Sequence, residues 1–232
     1  MESARDILSR LSERIETSAA RAGRDPKAIT LMAVTKTFPF ERVLPFLEAG
    51  IRHVGENRVQ EAAAKYSVEG GTWKVKPAFH LIGPLQTNKA KKAVVFFDVI
   101  QSLDRWELAE TLNRHAGDLG KVLDCLVQVK ISDEPSKSGL DPAVLSEFIA
   151  RATTLPHLKV RGLMGIPPLS AVGDEARPYF QRLRRLFEET SHVLPSTTPI
   201  LSMGMSSDFE AAIEEGSTMI RLGMALFGTR SN

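Results

Sequence analysis

Eight short apolar runs, spaced by helix-patterned segments, constrain this chain more than any other feature. They lie at Ile29 to Thr35, Ile51 to Val54, Phe79 to Ile82, Val95 to Ile100, Leu123 to Val129, Val160 to Met164, Ile200 to Met203 and Met219 to Leu222. Between them stand helical stretches at Phe40 to Ala49, Arg58 to Lys65, Asp104 to His115, Ala143 to Ala152, Glu175 to Ser191 and Asp208 to Glu214. Strand runs without strict alternation, separated by helices, predict a parallel sheet covered on both faces. Eight of them predict a closed barrel rather than an open sheet. Ile7, Leu8, Leu11 and Ile15 repeat at helical spacing and predict an additional N-terminal helix ending near Gly23. The expectation is an α/β fold, one (β/α)8 TIM barrel over residues 1–232. At 232 residues the chain barely accommodates such a barrel, which usually takes about 250, and leaves no room for a second domain beside it.

Charge narrows the partners. Lysine and arginine total 30 against 28 acidic residues, a formal net charge of +2. That balance gives no electrostatic case for nucleic acid or an anionic membrane. No run approaches the roughly 18 apolar residues of a membrane span. The first twenty residues have no signal-peptide core, and their acidic residues argue against a transit peptide. The lone Cys125 cannot form an internal disulfide and reads as a buried strand residue. A cytoplasmic location and a monomer are expected.

In β/α barrels, chemistry sits in the loops after the strand C-termini. Lys36 ends the first run. A lysine there is either a desolvated amine available as a nucleophile, or one whose stem packs while its ammonium reaches solvent. Ser202 to Asp208 follows the seventh run and opens a helix. Ser206 and Ser207 offer hydroxyls and amides to an anion, or, with Asp208, simply cap that helix. A second glycine-and-hydroxyl turn, Gly228-Thr229, follows the eighth run, and barrel enzymes often hold phosphate in these two loops. Arg221 lies inside the last strand, where it needs either a carboxylate partner or a ligand acceptor. His80 reads as a hydrogen-bonded core residue or a packing neighbour of a ligand ring. Lys89, Lys91 and Lys92 read as a solvated face. The five histidines show no metal-ligand spacing.

Seven segments, taken together and in order, resemble the pyridoxal-phosphate homeostasis proteins, the YggS/PROSC-type family. They are Ala33 to Thr37, Gly55 to Glu61, His80 to Lys89, Ser136 to Gly139, Gly162 to Met164, Ser202 to Asp208 and Arg221 to Arg230. Arg58 departs from the pattern, where an aromatic residue is more usual. The resemblance implies a barrel like the N-terminal domain of alanine racemase, with pyridoxal 5′-phosphate as cofactor. Lys36 matches the lysine that holds the cofactor as a Schiff base. Ser206, Ser207, Gly228 and Thr229 match the phosphate-binding turns. Arg221 matches the arginine facing the pyridine nitrogen, and Asn57 a residue on the ring side.

A guanidinium does not readily give up its proton, so the pyridine nitrogen beside it stays unprotonated and the ring is a weaker electron sink. Three readings follow. The first is a cofactor-holding homeostasis protein without significant catalysis, delivering to apo pyridoxal-phosphate enzymes through an open mouth. The second is an amino-acid racemase; such enzymes carry a second domain and an opposing tyrosine, whereas Tyr66 and Tyr179 fall outside the strand-end loops. The third is a barrel enzyme acting on another phosphate ester, with Lys36 as its Schiff-base lysine.

Overall fold

The computed structural model describes residues 2–67, 76–132 and 138–228. Eight parallel strands close into a barrel in sequence order. They are β1 (Thr30–Val34), β2 (His53–Glu56), β3 (Ala78–Leu81), β4 (Val99–Leu103), β5 (Leu123–Gln128), β6 (Leu158–Met164), β7 (Ile200–Ser202) and β8 (Met219–Leu222). Closure is direct: β1 pairs with β8, with Met32 opposite Arg221. A helix follows every strand: α2 (Phe40–Glu48), α3 (Val59–Ser67), α4 (Ala90–Phe96), α5 (Trp106–Asp118), α6 (Leu145–Ala152), α7 (Arg177–Glu189), α8 (Phe209–Glu214) and α9 (Met224–Phe227). The expected (β/α)8 barrel is therefore observed.

The additional helix α1 (Ala4–Arg21) is also present. Ser3 and Asp6 close a capping box at its start, satisfying amides that have no partner within the helix. Leu11, Ile15 and Ala19 form its buried stripe. Arg14 reaches across to Glu210 of α8, with a 2.8 Å bond from its Nε.

The fourth run is a correction. Val95 and Phe96 were expected in a strand; they end α4, and β4 begins only at Val99. Ala90, Ala93, Val94 and Phe97 are fully buried, the helical i, i+3, i+4, i+7 stripe, while Val95 is 65% exposed. One uninterrupted apolar run thus spans the end of a helix and the start of a strand, which periodicity alone cannot divide. Asp98 marks the break, its carboxylate accepting the Phe79 N–H at 2.8 Å.

The main hydrophobic cluster lies between sheet and helices. Ala33, Val54, Phe79, Leu81, Ile100, Cys125, Val127 and Leu163 belong to it. Strand residues of the other parity point into the barrel. They include Met32, His80, Gln101, Leu126, Gln128, Met164, Ser202, Met219 and Arg221, all buried. The interior is thus a mixture of methionines and polar groups, unlike the branched aliphatic layers usual in such barrels.

Candidate functional site

A cavity of about 640 Å³ opens at the C-terminal end of the barrel, within the usual range for a small-molecule site. Lys36, Asn57, Ser206, Ser207 and Arg221 all line it. Gly228 does not: it caps the C-terminus of α9 with φ +78°. Thr229 lies outside the described residues, as does Lys137.

Lys36 sits two residues past β1, in a turn closed by a 3.1 Å bond from the Phe38 N–H to the Thr35 carbonyl. Thr37, the third residue of that turn, has φ +70°. Turns of this kind favour glycine there, and a β-branched residue costs about 1–3 kcal/mol. The surroundings hold it in place. Thr35 is buried; its N–H donates to the Gly55 carbonyl at 3.0 Å and its hydroxyl to Glu56 Oε1 at 2.7 Å. The Lys65 ammonium donates to both Glu56 Oε1 and the Thr35 carbonyl at 2.6 Å. The backbone carrying Lys36 is anchored to a buried ion pair outside the barrel.

On the next loop, Asn57 packs its backbone against Gly83. A Cβ on Gly83 would stand 2.4 Å from the Asn57 carbonyl oxygen, so this close approach requires glycine. The loop after β7 has the same character: Gly204 has φ +94°, and a Cβ there would lie 2.5 Å from that of Ala212.

The Ser206 hydroxyl ties the last two loops together, accepting the N–H groups of Gly223 at 3.2 Å and Ala225 at 3.1 Å. Asp208 occupies the N-cap position of α8 without capping it. Its carboxylate turns back to accept the Met205 N–H at 2.6 Å and the Ser207 hydroxyl at 3.3 Å. Burial pushes the Asp208 carboxyl above its ordinary value. The amides of Ser206, Ser207 and Met224 donate to no acceptor among the described residues. Since α8 has six residues and α9 four, these individual N–H groups matter more than any summed helix dipole.

Arg221 is 4% exposed. It has no ion pair among the described residues, contrary to the carboxylate-partner reading. Nη1 donates to Ser202 Oγ at 2.8 Å and Nη2 to the Gly165 carbonyl at 2.9 Å. Burial pushes its pKa down to about 10, with Asp208 opposing that fall; it remains protonated at neutral pH. Two of its five N–H groups are used in these bonds, leaving donors for a ligand.

Sequence reasoning placed Ser132 and Ile166 in strand-end loops without giving them a role, and passed over Gln128 and Lys130; the four form the opposite wall. The Ser132 hydroxyl is buried and has no hydrogen-bond partner among the described residues. The signal was their position at the ends of the fifth and sixth strands. Leu169, 79% exposed, and Met224, 56% exposed, stand at the apolar rim of the same cavity.

Fold and site together define a β/α barrel whose C-terminal mouth holds a cavity lined by a lysine, a buried arginine and the serines of the loop after β7. The sequence model for the alanine racemase N-terminal domain matches residues 8–231, and the chain belongs to that family and, within it, to the pyridoxal phosphate homeostasis proteins. The homeostasis protein of Aquifex aeolicus is 42% identical over 96% of both chains. That of Escherichia coli K12 is 40% identical over 96% of this chain and 95% of its own. PipY of Synechococcus elongatus, in its structure with PLP bound, superimposes with a TM-score of 0.80 at 41% identity, covering 93% of this chain and all of that one. Alanine racemase of Clostridium difficile shares the fold at a TM-score of 0.71, with 13% identity over 95% of this chain and 60% of that one.

Proposed function

We propose that this protein binds pyridoxal 5′-phosphate and serves cofactor homeostasis by holding it without significant catalysis. The observation that carries the reading is one cavity that gathers Lys36, the buried guanidinium of Arg221 and the unengaged amides of the last two loops. That donor set fits the cofactor: an amine, a cation with no ion pair among the described residues, and hydroxyls and N–H groups for an anion. When bound, the cofactor supplies an aldehyde carbon that takes up an amine, on a ring bearing a phosphate ester.

Lys36 supplies that amine. Ser206 and Ser207 would cradle the phosphate with their N–H groups. Asn57 borders the ring. Arg221 would donate to the ring nitrogen and, as a poor proton donor, would leave it unprotonated. Neither of the chain's two tyrosines lines the cavity. Tyr66 is buried against Glu56 and Thr35, away from any position opposite Lys36. That, together with relatives named for homeostasis and racemases related only at the level of fold, supports holding over racemisation.

We further propose a cytoplasmic monomer that passes the cofactor to apo pyridoxal-phosphate enzymes. The exposed rim residues Leu169 and Met224 support contact with another protein at the mouth. Among the described residues, no helix is long and apolar enough to cross a membrane.

The test is the visible spectrum of the purified protein. A yellow protein, bleached by borohydride with the label fixed on Lys36, is expected, as is a colourless Lys36→Ala variant. Unchanged colour in that variant would remove Lys36 as the anchor, and Lys137 would be examined next. For transfer, loaded protein is mixed with an apo-enzyme. Activation no faster than with spontaneously released cofactor would refute delivery.

A further inference from the structure

Five side chains from five strands meet in series across the barrel interior. Arg221 Nη1 lies 2.8 Å from Ser202 Oγ, and Ser202 Oγ 2.8 Å from Gln101 Oε1. Gln101 Nε2 lies 3.1 Å from His80 Nδ1, and His80 Nε2 3.0 Å from His53 Nδ1. Ser202 and Gln101 are fully buried and His80 is 2% exposed. The series runs from the cavity on β8 to the first residue of β2, at the opposite end of the barrel.

Its polarity is set from one end. A guanidinium can only donate, so Ser202 Oγ accepts from Arg221. The single Ser202 proton then goes to Gln101 Oε1, which turns the amide nitrogen toward His80. His80 Nδ1 must accept, so the proton of the neutral imidazole sits on Nε2 and is donated to His53 Nδ1. The reversed amide would strand the Ser202 proton, since Ser202 Oγ has no other hydrogen-bond partner among the described residues. Every contact in the series is therefore a bond, and all point the same way. Burial first, and then His53, push the His80 pKa down to about 3, which keeps the imidazole neutral.

We propose that Gln101, His80 and His53 are positioning residues. Through Ser202 they fix the orientation in which Arg221 presents its remaining N–H groups to the ring of the bound cofactor, with His80 held as the Nε2–H tautomer. This rests on the reading of Arg221 as the ring-facing group, and it adds a chain of residues that do not touch the cofactor. Without Gln101 as acceptor, the Ser202 proton has no fixed direction and one of the two bonds orienting the guanidinium is weakened.

Two measurements test it. Long-range 1H–15N spectra of the protein stripped of cofactor read the His80 tautomer directly. The Nε2–H form is expected, and the Nδ1–H form would overturn the proposal. The second measurement reads the absorption maximum and release rate of bound cofactor in variants. Gln101→Met, of nearly the same shape, is expected to shift the maximum and speed release about three- to ten-fold, the loss of one hydrogen bond's orienting effect. His80→Leu should do the same, and His80→Gln, which restores an acceptor toward Gln101, should return both values toward wild type; this pair stands in if Gln101→Met fails to fold. A spectrum unchanged by Gln101→Met or His80→Leu, beside one shifted by Arg221→Gln, overturns the positioning role alone. A spectrum unchanged by Arg221→Gln as well overturns the ring-facing reading together with the proposal.

Discussion

On its outer face the sheet presents Val54, Leu81, Ile100, Val127 and Leu163 to the helices. On its inner face the same strands carry His80, Gln101, Ser202 and Arg221 among methionines. The outer layer is held by apolar burial, which is non-directional and tolerates similar shapes. The inner layer is held by bonds with assigned donors and acceptors, which tolerate few substitutions but fix orientation. A barrel that only had to be stable could have filled its interior with aliphatic residues. The contrast indicates that the outside of the sheet makes the fold and the inside aims the site.

The largest expected effect comes from cutting the outer layer. Leu81→Ala, at a fully buried position, should lower unfolding free energy by about 2–5 kcal/mol in urea titrations. The spectrum of bound cofactor should stay unchanged under native conditions. A spectral shift would show that the layers are not separable.

Next is the anchor beneath Lys36. Lys65→Met leaves the fully buried Glu56 carboxylate without its cation. It should cost up to about 3 kcal/mol, at the low end of the range for broken buried pairs because Lys65 retains some exposure. It should also weaken cofactor retention, since Thr35 loses a bond. Stability lost with retention unchanged would break the link between this pair and the lysine turn.

The inner layer has a pH signature. The folded His80 pKa lies near 3, well below the ordinary 6.5. Between these values the unfolded chain binds the extra proton, so stability is present in full above about pH 6.5 and is lost as pH falls. From pH 7 to pH 5 this contributes about 2 kcal/mol of destabilisation. His53, also depressed by burial, acts in the same sense. Asp208, whose pKa is raised, acts in the opposite one. The difference between wild type and His80→Gln isolates the histidine, and equal slopes would contradict its neutral burial.

The smallest effect is at the turn. Thr37→Gly should relieve the positive φ and raise stability by about 1 kcal/mol or less, since glycine also loosens the unfolded chain. A small rise in Tm is expected; a fall would mean that threonine contacts outweigh the strain.

The same contrast explains what could be read from the residues alone. Strands packed on their outer faces announce themselves as apolar runs, so eight of them and their order were legible. Lys36 and the paired serines stood out because they are polar just past the ends of such runs, and Arg221 because it is charged inside one. The interior chain did not. In Val-Ile-Gln-Ser-Leu, the polar pair Gln101-Ser102 reads as a loop, and the strand was expected to stop at Ile100, whereas β4 continues to Leu103. A buried amide paired only with residues far along the chain has no local signature. Its partners, His80, Ser202 and Met219, lie 21, 101 and 118 positions away. Gln128 was hidden for the same reason, inside a run that otherwise looked aliphatic.

The chain's single thiol also carries a consequence. Cys125 lies on β5 with no exposed surface, and burial raises its pKa so that little thiolate is present. A modifying reagent can reach it only when β5 parts from its helices. Labelling of this one atom is therefore a clock for opening of the barrel wall at β5. Any ligand that binds only the closed form should slow that clock by the factor 1 + [L]/Kd, so its tightness can be timed without observing the ligand itself.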